Sequence, residues 1–87
     1  MTVALPPIAD VLAKAAEKNS FVKQNEADHR AAYLVAQAIV TEGRKTVTAR
    51  ESTQVSKAAS MLASAGYMDV AGQLLLFAAD FEVLKQT

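Results

Sequence analysis

The one histidine of the chain, His29, follows Glu26 by three residues. Glu-x-x-His is the spacing with which helices of di-iron carboxylate bundles present two ligands to a metal. Such a site needs more carboxylates at the same depth and a second histidine. A twin copy would supply the histidine, but no other acid lies at a suitable level in the apolar stripes around it. The expectation is therefore a surface histidine near a helix N-terminus, with no metal and no cofactor. Nucleophilic catalysis would need a Ser or Thr beside a base. The serines concentrate between residues 52 and 64, far from His29 in the chain, and no triad can be drawn. Gly43, Gly66 and Gly72 are scattered, so there is no glycine-rich loop to cradle a phosphate. Without convergent titratable groups, neither an enzyme nor a small-molecule substrate is expected.

A basic window is the other constellation with chemistry. Arg44, Lys45, Arg50 and Lys57 account for four of the nine Lys and Arg residues, with Glu51 the one acid among them. A helix, a Gly-containing turn and a second helix here would form a helix-turn-helix, turning Arg50, Thr53, Gln54 and Lys57 toward a major groove. Two features oppose this. The connector is longer than the usual three or four residues, and the net charge of the chain is zero.

The elements that position these residues follow from period and punctuation. Pro6-Pro7 opens a helix over 7–18, since Pro suits the first turn; Ile8, Val11, Leu12, Ala15 and Ala16 form its inner stripe. Asn19-Ser20 breaks it, and Phe21 and Val22 are expected to tuck into the core. A second helix runs over 24–42, with Asn25 as its cap and Gly43 as its stop. Its main stripe is Ala27, Ala31, Leu34, Val35, Ala38 and Ile39, and its back is also apolar, with Ala32, Tyr33, Ala36 and Val40. Residues 44–47 read as a connector. Thr48-Ala49-Arg50-Glu51 is a capping box and starts a third helix over 48–65, in which Val55, Ala58, Ala59 and Leu62 are inward and Met61 marginal. Asp69 caps a fourth helix over 69–85, the most apolar stretch and again two-sided. Val70, Leu74, Phe77, Phe81 and Leu84 line one side; Gly72, Leu75, Leu76, Ala79 and Val83 line the other.

The totals set the frame. Eighty-seven residues suit one domain, and a chain of that size buries only about 60–65% of its unfolded surface. With 52% apolar and 21% charged residues it is a folded class rather than a disordered one. There is no Cys, so no disulfide and no thiolate metal site. Met1–Pro7 lacks the basic and apolar regions of a secretion signal. The 69–85 helix would cover only about 22–25 Å and carries Asp80 and Glu82, too short and too charged to span a bilayer. A cytoplasmic location is the expectation.

These readings converge on an all-α fold. Four helices pack as two antiparallel hairpins, the second and fourth innermost, completed by oligomerisation. Two helices with two apolar sides need more cover than one small chain supplies. The expected function is non-catalytic: an adaptor or inhibitor that binds a twin copy or a partner helix through Gly72, Leu75, Leu76, Ala79, Val83, Tyr33, Ala36 and Val40. The alternative is a dimeric helix-turn-helix protein that contacts DNA through Arg44, Lys45, Arg50, Thr53, Gln54 and Lys57.

Overall fold

A computed structural model describes residues 3–85; of the leading stretch, Met1 and Thr2 lie outside them. The described chain is 73% helical, with five helices. These are α1 (Ile8–Lys18), α2 (Ser20–Gln24), α3 (Glu26–Glu42), α4 (Ala49–Ser64) and α5 (Met68–Ala79). Two three-residue strands, β1 (Thr46–Thr48) and β2 (Glu82–Leu84), complete it.

Three helices begin or end where the punctuation says. The Pro7 carbonyl accepts the first N–H groups of α1, from Asp10 and Val11. Gly43 closes α3 in the left-handed conformation, φ 65°, which an L side chain adopts only with strain. At α4 the capping box is complete: the Glu51 N–H donates to the Thr48 hydroxyl at 3.1 Å, and the Thr48 N–H donates to the Glu51 carboxylate at 2.9 Å.

Elsewhere local chemistry redirects the chain. Asn19, extended at φ −137°, ends α1 and accepts the Phe21 N–H on its own side chain, which starts the separate helix α2. Val22 is buried, but Phe21 is exposed and stands edge-on to the His29 ring. Asn25 occupies the cap position of α3, yet its amide donates back to the Phe21 carbonyl at 2.9 Å instead of capping. Asp69 lies inside the first turn of α5, whose cap position falls to Tyr67 without a side-chain bond.

The largest departure from the expected all-helical chain is at the C-terminal end. The helix expected to reach residue 85 stops at Ala79. Lys45 meets the chain at that point: its ammonium donates to the Phe77 carbonyl at 3.0 Å, one of the last acceptors of α5. Its own carbonyl accepts the Glu82 N–H at 2.8 Å. Residues 82–84 are thereby drawn into a parallel ladder with 46–48, in the register Thr46↔Glu82, Val47↔Val83, Thr48↔Leu84. The expected connector is therefore partly a strand, with Val47 fully buried.

The expected order of layers is also corrected. The centre is α4, which packs on α1, α3, α5 and both strands. Val55, Ala58, Ala59, Met61 and Leu62 are buried on it, Met61 as fully as the rest. By contrast α5 buries only Ala71 and Leu74. The molecule measures 37 × 30 × 16 Å. A thickness of 16 Å holds about two layers of helices at the usual 8–10 Å spacing, so among the described residues no third layer lies over α5.

Candidate interaction surface

The site is built on the seam where α5 meets α4. Ala71 and Leu74 fill that seam. Val70, Phe77, Ala78 and Phe81 pack half-buried against the core, with Phe77 and Phe81 edge to face at 5.7 Å. Because α5 is fixed along so narrow a line, its remaining residues face outward. Leu75 is 52% and Leu76 63% exposed, and Gly72 and Ala79 lie on the same outer side. Val83 and Leu84 of β2, and Met68 at the start of α5, are exposed as well. Each flank of α5 has a depression beside it. Leu75 borders a groove of about 350 Å³ against α4, lined by small residues that include Ala59, Ala63 and Gly72. Leu76 and Ala79 border a cleft of about 650 Å³ that Val3, Gly43, Lys45 and Phe77 help to line.

Five of the eight residues expected to make contacts thus lie at the surface: Gly72, Leu75, Leu76, Ala79 and Val83. The three on α3 do not. Tyr33 and Ala36 are fully buried within the chain itself, and Val40 packs half-buried against the same core. Four of the six residues expected to face inward on α3, Ala27, Ala31, Leu34 and Ala38, are exposed instead, while Ile39 is buried and Val35 half-buried as expected. Tyr33 decides this: its ring is the largest fully buried side chain, and its hydroxyl donates to the Pro6 carbonyl, so the polar tip is satisfied. Burial pushes the Tyr33 phenol up to about 12.

His29 also departs from the surface role expected of it. It is 4% exposed. Its Nδ1 lies 2.8 Å from the Asn25 carbonyl, which can only accept, so that nitrogen carries the proton. Glu26 instead pairs with Arg30 on the surface at 3.7 Å. Among the described residues, no group of three or more His, Cys, Asp or Glu is placed to hold a metal ion.

The basic window is largely occupied by its own chain. Arg44 forks onto Glu51 through two bonds of 2.9 Å and reaches Glu42 at 3.1 Å. That guanidinium, with the Thr48 N–H second, holds the Glu51 carboxyl down at about 2; the Glu51 carboxylate first, and that of Glu42 second, push Arg44 up. Lys57 donates to Asp28 at 2.7 Å, which lowers the Asp28 carboxyl. Lys45 sits 3.6 Å from the centroid of the Phe77 ring, beside Asp80. Thr53 turns its hydroxyl back to the Ala49 carbonyl and Gln54 is half-buried, which leaves Arg50 exposed. Nor is the turn between the two helices that of a helix-turn-helix, since it contains β1.

Comparison of the chain with protein-family models, with curated proteins and with solved structures finds no match in any of the three. Among the described residues, no helix is long and apolar enough to cross a membrane.

Proposed function

We propose that this chain is a non-catalytic interaction module that self-associates through the outer side of α5 and β2. One observation carries the reading: Leu75 and Leu76 are exposed on a helix whose fully buried residues are Ala71 and Leu74, and Val83 and Leu84 of β2 are exposed as well. Monomeric proteins rarely leave contiguous aliphatic patches of more than a few hundred Å² in water. Association ranks above duplex binding because Arg44, Lys45 and Lys57 are already engaged by carboxylates or carbonyls of the same chain.

Light scattering on a sizing column tests this. The expected mass is that of a dimer or higher oligomer. Leu75→Arg should leave the helical circular dichroism unchanged, because Arg is a good helix former and the position is half in water, while it lowers the mass by placing a charge in the contact. A monomeric wild type that binds no apolar dye would overturn the proposal. So would duplex DNA binding that falls steeply with salt and depends on Arg50.

A further inference from the structure

Among the described residues the sheet has the order β1–β2, so β2 is paired on one side only. In a parallel ladder, successive residues turn their N–H and C=O to opposite sides. The Glu82 N–H donates to the Lys45 carbonyl. Glu82 and Leu84 therefore face β1, and the N–H and C=O of Val83 face away from it. All three residues of β2 are exposed, Val83 at 45%. An unpaired strand edge is a template for another strand, and among the described residues neither a proline nor another segment blocks this one.

A second copy fits that edge by symmetry. Adjacent antiparallel strands related by a twofold axis share one axis perpendicular to the sheet, which keeps every side chain on its own face. Residues of equal parity must then lie opposite each other, and the one such register that pairs all three residues of β2 sets the outward residue against its own equivalent. Val83 opposite the partner's Val83 makes two reciprocal N–H···O=C bonds and leaves neither group over. The same register sets Glu82 against the partner's Leu84, and Phe81 against the partner's Lys85, so no like charges oppose. With one outward N–H and one outward C=O, the edge is saturated by a single copy, and the assembly closes at two.

We infer that two copies of this chain pair antiparallel along the outer edges of β2, on a twofold at Val83, fusing their sheets in the order β1–β2–β2–β1. The inference rests on the self-association proposed above and locates where the two backbones meet.

The test uses the full chain. Val83→Pro removes the outward N–H and nothing from the β1–β2 ladder. Loss of the reciprocal pair should weaken dimerisation roughly ten- to a hundredfold in sedimentation equilibrium, with circular dichroism unchanged. In the unmutated chain, hydrogen exchange at the Val83 amide should slow as protein concentration rises, while the Leu84 amide, turned toward β1, should not respond. A dimer in which neither the Val83→Pro mass nor the Val83 exchange rate changes overturns the edge pairing and leaves self-association standing. A chain monomeric at every concentration overturns both. Protection of the Val83 amide in such a monomer by an added extended aliphatic peptide would assign the edge to another protein's strand, which also overturns the second-copy inference.

Discussion

Helices α4 and α5 invert the usual relation between apolarity and burial. The stretch Met68–Ala79 is almost without charge, yet it buries two side chains. The stretch Ala49–Ser64 contains Arg50, Glu51, Lys57 and four serines, yet it is the hub of the molecule. The difference is positional. A helix at the centre touches neighbours on several sides, and small residues such as Ala58 and Ala59 let those neighbours come close. A helix at the margin of a two-layer body meets one neighbour along one seam. Its surplus apolar surface is then unexplained by the fold of one chain, and the proposed association rests on that surplus, not on the total.

Two leucines give the sharpest way to break this comparison. Leu62 on α4 is fully buried and Leu75 on α5 is half exposed. Leu62→Ala should cost roughly 2–5 kcal/mol in denaturant unfolding, as large-to-small core changes do. Leu75→Ala should stay within about 0.5 kcal/mol once measured on dissociated chains. Equal costs would mean that α5 is buried after all, and that the contact surface lies elsewhere.

The N-termini of the same two helices differ as well, for α4 is capped and α5 is not. Thr48→Ala should cost about 1 kcal/mol. Glu51→Ala should add less than a second full increment in the double mutant, because each residue of the box holds the other in place. Strict additivity in chemical melts would show that the two bonds act independently.

A smaller effect follows from the ion pair behind the box. The Glu51 carboxyl is held at about 2 in the folded chain against 4.5 ordinarily. A depressed carboxyl contributes stability above its unfolded value, and the contribution fades as pH falls through the folded one. Thermal melts should therefore fall less steeply between about pH 4.5 and 2 for Glu51→Gln than for the wild type. Parallel slopes would remove the Arg44 fork as the cause.

Where the signals were local, the sequence was a good guide. Pro7, Gly43 and the Thr48–Glu51 box each carry their own hydrogen-bonding logic, and the boundaries of α1, α3 and α4 follow from them. What depends on distant partners was not legible. The three residues Thr46–Thr48 are too few to show a strand period, and Phe81, Val83 and Leu84 continue the helical spacing of α5, so nothing local announces the turn at Asp80. At that turn the Phe77 carbonyl is taken by Lys45, a residue far away in the chain. The two faces of α3 were nearly equal in apolar character, and only the size of Tyr33 and its reach to Pro6 separate them. The outer residues of α5 were legible because they depend on period alone; their partner does not, and neither does the edge at Val83.

The pairing of Thr46 with Glu82 encloses all of α4 and α5 between its two ends. Closing so long a stretch of chain costs entropy before any bond of the ladder is gained. Helix pairs that are neighbours in sequence, such as α4 with α5, can form first, and the ladder can join only once both are docked. The strands are therefore a late clasp. Substitutions in β2 are therefore expected to speed unfolding while leaving the folding rate nearly unchanged, which stopped-flow refolding would check.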